Sequence, residues 1–168
     1  CGFLLLISLL SYSSEDPNFI FPENTEIKNL LGVRGSYISD LFFQSIGLIS
    51  YLFSLTIIIT GANIVLSKDL FLVIENIFYS ILYLILGASF FNHFYDSAFV
   101  LFINGNGGFV GFYLNENLLR KLITLNESVS FYLLVILIIG LFLLSINFNL
   151  RKFIILLKKI SYLSSKQK

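Results

Sequence analysis

Residues 41–66, 70–91 and 129–148 form three runs of leucine, isoleucine, valine and phenylalanine with almost no charge. A helix rises about 1.5 Å per residue, so roughly 20 such residues cross the ~30 Å hydrocarbon core of a bilayer. The first run carries Gln44 and Asn63, the second a single charge, Glu75, and the third none. Only 12% of residues are charged, about half the share of an ordinary soluble domain. In lipid every backbone polar group needs a partner within the protein, and the runs lack the alternation of barrel strands, so the spans are expected to be helices. The expected fold class is an all-α membrane protein.

A fourth apolar run, ending at Leu10, is too short to span by itself. It reads as the outer part of a truncated first helix, completing a four-transmembrane-helix bundle of two similar hairpins. Cys1-Gly2 also fits the start of a mature bacterial lipoprotein, but a polar tether would follow there, and Phe3-Leu4-Leu5-Leu6-Ile7 follows here. No basic segment precedes the run, so no signal peptide is visible. One cysteine makes no internal disulfide. The expected organisation is a bundle over 1–150, with spans at about 1–12, 41–66, 70–91 and 129–148 and outer loops at 13–40 and 92–128. A basic tail occupies 151–168.

Basic residues set the expected orientation. Arg151, Lys152, Lys158, Lys159, Lys166 and Lys168 follow the last span with no acid among them, and Lys68 lies in the turn between the second and third. The positive-inside rule places that turn and both ends in the cytoplasm and the two long loops outside. In the tail, RKFIILLKKISYL sets basic residues around Phe153, Ile154, Leu156 and Leu157. This suits either an amphipathic helix on an anionic leaflet or a stop-transfer anchor.

The two halves echo each other. Gly32-Val33-Arg34-Gly35-Ser36-Tyr37-Ile38 opens the approach to one span, and Gly108-Phe109-Val110-Gly111-Phe112-Tyr113-Leu114 opens another. Each approach leads to a Tyr-Leu pair (Tyr51-Leu52 and Tyr132-Leu133) and an aliphatic run ending in Gly61 or Gly140. This is the pattern of a duplicated hairpin. Glycines at i and i+3 allow either close helix packing or a turn at the membrane surface.

Several of these stretches resemble one family. SYSSEDPNF, residues 11–19 with Asp16 and Pro17, is similar to the Ser-Tyr-Ser-x-x-Asp-Pro-Ser signature after the first span of the amino-terminal membrane domain of FtsK/SpoIIIE-type DNA translocases. In NLLGVRGSYISDLFFQSIGLISYLF, positions Asn29, Gly32, Gly35, Asp40, Gly47, Tyr51 and Leu52 match the segment that leads into the family's second span. GNGGFVGFYL, with Gly108 and Gly111, looks like its glycine-rich element before the fourth span. Arg34 and Ser39 depart from that pattern, and the second loop is more polar than typical. The resemblance implies a domain that anchors the protein in the bacterial cytoplasmic (inner) membrane and targets it to the division septum. A linker would then lead to a hexameric ATPase that moves DNA and couples chromosome segregation to division. It also implies the lipid bilayer and other division-machinery membrane proteins as partners. Homo-oligomerisation and DNA binding would come through the motor, along with ATP and magnesium.

No cofactor, metal or catalytic residue is expected in this chain. GxxxxGK[ST] is missing, and the glycines at 105, 107, 108 and 111 do not meet GxGxxG. His93, the sole histidine, sits among Phe91, Phe94 and Tyr95, which suits an interfacial belt. Ionisable residues within a span invite functional suspicion, yet Glu75 lies roughly 9 Å from the Asp69 end of its run. Lys68 is two turns back on the same face. Gln44, Asn63 and the hydroxyls of the second span are candidates for hydrogen bonds between helices. The leading expectation is a non-enzymatic membrane anchor. The alternatives are a small four-span transporter or channel subunit and a division scaffold without a motor.

Overall fold

The computed structural model describes residues 1–18, 26–67, 71–95 and 104–148. These are helical or irregular, with no strand among them. The helices are α1 (Gly2–Leu10), α2 (Gly32–Ile46), α3 (Ser50–Ser67), α4 (Phe71–Phe94), α5 (Gly108–Leu114), α6 (Arg120–Ile123) and α7 (Glu127–Ser145). A 3₁₀ turn, Gly47–Ile49, joins α2 to α3, and a π turn, Asn115–Leu119, joins α5 to α6.

Among the described residues, three helical stretches are long and apolar enough to cross a membrane: Gly32–Leu66, Val73–Phe94 and Glu127–Ser145. The nine residues of α1 rise only about 13 Å and do not span by themselves. Several boundaries differ from the sequence reading, and α5 and α6 lie inside the 92–128 segment read as outer loop. Helix α2 begins at Gly32, inside the segment read as outer loop. The run read as one span over 41–66 is broken at Gly47, whose φ of 68° and ψ of −147° leave helical space. The Lys68 turn, Asp69 and the whole basic tail lie outside the described residues, and so does any pairing of Lys68 with Glu75.

The polarity of the bundle is inverted relative to a soluble protein. Its buried residues include Ser8, Ser36, Ser39, Ser50, Ser54, Ser89, Asn76 and Asn106, whereas Leu66, Ile74, Ile136 and Tyr132 are each at least 66% exposed. Soluble folds bury the second set and expose the first. In lipid, burying an aliphatic side chain gains little, and small or polar residues hold helices together instead. Helix α2 shows this within one element: Gly35, Ser36, Ser39 and Asp40 face inward while Val33, Ile38 and Leu41 face out.

Helix α4 is the hub, packing against α7, α5 and α3, and α1 leans on α3 and α2. One apolar core gathers Ile49, Tyr83, Ala88, Phe90, Ile123, Leu134 and Ile138, and a smaller one holds Leu5, Leu9 and Phe43. Polar links tie the spans together. The Thr56 and Tyr83 hydroxyls lie 2.8 Å apart, and Asn76 Nδ2 donates to Thr60 Oγ1 at 3.0 Å. Asn63 Nδ2 donates to the Ile146 carbonyl at 3.0 Å, and Asn147 Nδ2 to Asn76 Oδ1 at 2.5 Å. Helix α7 begins on an Asn126 cap whose side chain accepts from Val129 N. It ends in a Schellman turn: Phe148 N bonds Leu143 O, Asn147 N bonds Leu144 O, and Asn147 takes φ 51°.

Candidate functional site

The motif residues converge on one end of the bundle, where α1 ends and α2 begins. Asp16 is buried, and its two carboxylate oxygens accept the backbone N–H groups of Lys28 and Asn29, each at 2.8 Å. Asn29 carries the connection inward. Its Nδ2 donates to the Ser8 carbonyl in the last turn of α1 at 2.9 Å, and its Oδ1 accepts from Leu31 N at 3.0 Å. Ser8 Oγ donates to the Gly35 carbonyl and Ser36 Oγ to the Pro17 carbonyl, both at 2.6 Å. Ser39 Oγ donates back to Gly35 O at 2.9 Å.

Tyrosines close the joint. The Tyr12 hydroxyl donates to Asp40 Oδ1 at 3.3 Å, and the Tyr51 hydroxyl to the Leu9 carbonyl at 3.2 Å. Both rings meet Phe43 edge-on, with centroids 4.9 and 5.4 Å away. On the surface Lys28 and Glu15 form an ion pair, which draws the Glu15 carboxyl below its usual range and raises the Lys28 ammonium.

A second joint sits where the α2–α3 break meets the glycine-rich loop. Leu48 N donates to the Asn106 carbonyl at 2.9 Å, and Gln44 Oε1 and O accept from Asn104 N and Nδ2 at 3.3 and 3.2 Å. A Cβ on Gly47 would lie 2.0 Å from Asn106 O, and one on Gly111 2.3 Å from Ala88 O. The break and the α4–α5 contact are therefore backbone against backbone, which glycine permits. Asn106 Nδ2 donates to the Tyr95 carbonyl just past α4.

The sequence echo is also an echo in geometry. Gly32 N bonds Asn29 O and Gly108 N bonds Gly105 O, and both glycines open a helix at positive φ, 65° and 63°. Gly35 and Gly111, three residues on, are the close-packing positions: a Cβ at Gly35 would come within 2.1 Å of Asn29 Oδ1. Turn and packing, left open from the sequence, are divided between the two glycines of each pair. Each loop also reaches back by an asparagine amide to the carboxyl end of the preceding helix, Asn29 to Ser8 and Asn106 to Tyr95.

Asp16, Pro17, Gly32, Gly35, Asp40 and Tyr51 thus meet in the first joint, and Gly108 and Gly111 form the second. Gln44 belongs to the second joint as well, while Asn63 holds the end of α7. Glu75 is exposed near the start of α4, apart from both joints. No bonding role was expected for Ser8, Ser36, Ser39, Asn104 or Asn106. Ser36 and Ser39 are three apart on one helical face, a signal that was available; the two asparagines lie in a polar loop that offers none. Amides, hydroxyls and carboxylates in this arrangement fix the mutual placement of chain segments.

Residues 1–158 match the family described as the 4TM region of DNA translocase FtsK/SpoIIIE. The chain belongs to that family. Among curated relatives, the DNA translocase FtsK of Rickettsia prowazekii (strain Madrid E) is 37% identical to this FtsK-type membrane domain over 62 residues. That of Rickettsia typhi (strain ATCC VR-144 / Wilmington) is 34% identical over the same length. Each alignment covers 37% of the chain but 8% of the relative, so the chain spans a small part of the proteins it matches. No solved structure is similar to it.

Proposed function

We propose that this FtsK-type domain anchors a DNA-translocating motor in the bacterial cytoplasmic membrane and holds it at the division septum, with both chain ends in the cytoplasm. The family match across residues 1–158 carries the reading, and the relatives named DNA translocases support it. The two joints favour a rigid anchor, because they tie α1, α2, the glycine-rich loop and α4 into one unit. Other division proteins in the membrane and further copies of the chain are the proposed partners. ATP, magnesium and DNA would be handled by the motor.

A fluorescent fusion after Lys168 tests this in dividing cells. Signal concentrated in a band at the division site is the expected result. Even labelling of the whole envelope would overturn septal targeting and leave anchoring intact. A fusion that becomes fluorescent only when exported would overturn the orientation.

A further inference from the structure

A cavity of about 310 Å³ lies beside the second joint, lined by Asn92, His93, Phe112, Asn115, Glu116 and Arg120. That is near the lower limit for ligand sites and suits a small polar group. Asn92 and His93 come from the last turn of α4, where the candidate span Val73–Phe94 ends. The cavity therefore opens at headgroup depth.

Three observations mark it as a site. First, Glu116 and Arg120 are an anion and a cation on one cavity wall, yet neither makes an ion pair among the described residues. Second, the π turn Asn115–Leu119 builds that wall. In a regular α-helix Arg120 would stand roughly 140° around the axis from Asn115, five residues earlier. The wider turn brings both to the same cavity, and π turns recur at functional sites. Third, the Asn115 amide is held by Nδ2 donating to Asn92 Oδ1 at 2.8 Å, and its buried Oδ1 has no partner. The wall thus holds one buried acceptor without a partner, Asn115 Oδ1, beside two exposed charges that form no ion pair among the described residues.

The surroundings specify the ligand. Phe109, Phe112 and Tyr113 on α5 are each about half exposed, and Leu122 and Leu125 more so. Phe112 lines the cavity, and the other four are exposed apolar side chains close to it in sequence, of the kind acyl chains contact. We infer that the cavity binds a zwitterionic phospholipid headgroup bearing a primary ammonium, that of a phosphatidylethanolamine. Arg120 takes the phosphate diester, with His93 and the Asn92 amide beside it. Glu116 takes the ammonium. An anionic glycerol headgroup has no cation for Glu116, and a choline headgroup has no N–H to donate to it. This inference rests on the membrane fold and not on the translocase role.

The test measures lipid retained by the full chain, purified in detergent and supplied with phosphatidylethanolamine, phosphatidylglycerol or phosphatidylcholine at equal mole fraction, by native mass spectrometry. Phosphatidylethanolamine is expected to be retained about tenfold over the other two, the worth of one charge-assisted hydrogen bond. Glu116→Gln abolishes the preference over phosphatidylglycerol. Arg120→Gln weakens retention of both, and Arg120→Lys restores part of it. Lys121→Gln, a neighbouring exposed cation outside the cavity, changes nothing. Circular dichroism verifies that each variant keeps its helices. Equal retention of the three lipids by the unaltered chain, or an undiminished preference in Glu116→Gln, overturns the proposal. Displacement of the lipid by an equal concentration of free phosphoethanolamine would overturn its lipid source.

Discussion

Asp16 and Gly47 are small residues with large structural consequences, for different reasons. The Asp16 carboxylate satisfies two backbone N–H groups of the Lys28–Asn29 segment. Asp16→Ala leaves both donors without their partner, and a buried donor left so costs about 1–3 kcal/mol. The expected outcome is a clearly lowered unfolding temperature in detergent, with Asp16→Asn intermediate because one acceptor oxygen remains. Gly47→Ala meets two obstacles at once, a left-handed φ and the Asn106 carbonyl. The first, with ψ at −147°, is an essentially glycine-only conformation costing about 1–3 kcal/mol for another residue, and the backbone contact cannot yield as a side chain would. Loss of folded protein, or a fall in unfolding temperature at least as large as that of Asp16→Ala, is expected. The Glu15–Lys28 pair provides a contrast. Its lowered Glu15 carboxyl would contribute above its unfolded pKa and lose that contribution as pH falls, but both groups are fully exposed. Lys28→Ala should therefore leave thermal unfolding unchanged between about pH 4 and 7, since exposed pairs contribute little.

At the scale of elements, the end of α7 separates backbone from side-chain effects. Asn147 occupies the left-handed position of the Schellman turn and also bonds Asn76 on α4. Asn147→Gly keeps the turn and loses only the side-chain bond, which in membranes averages about 0.6 kcal/mol. Asn147→Ala loses both, and the strained φ adds roughly 1 kcal/mol. Thermal unfolding should rank Asn147 above Gly above Ala. An Ala variant as stable as Gly would mean that the turn does not hold the helix end. Helix α2 shows how much of an element could be read in advance. Its glycine pair and Asp40 stood out in the sequence. Its early start at Gly32 did not, because Val33, Ile38 and Leu41 are spaced as on any helix approaching lipid. The decisive feature is which face turns inward, and only the packing partners Ser8 and Pro17 set that.

For the whole molecule, the inverted polarity makes a prediction that needs a probe, since the chain has no tryptophan. Ile136→Trp, at a site 70% exposed, should be quenched strongly by brominated lipids, and Phe90→Trp, at a site 7% exposed, weakly. Comparable quenching at both would contradict the packing of α4 against α7.

The sequence by itself determined that this is a helical membrane protein built on long apolar runs, and that two glycine-bearing motifs open helices in it. Those conclusions rest on hydrophobic run length and local residue chemistry, which one-dimensional order carries completely. Tertiary structure alone decided that the two motifs build adjoining joints, that the apparent span 41–66 breaks at Gly47, and that an anion and a cation share a cavity beside α4. Each depends on atoms distant in sequence, Gln44 with Asn104, Gly47 with Asn106, Asn92 with Asn115. An apolar run gives no sign of where another backbone will press against it.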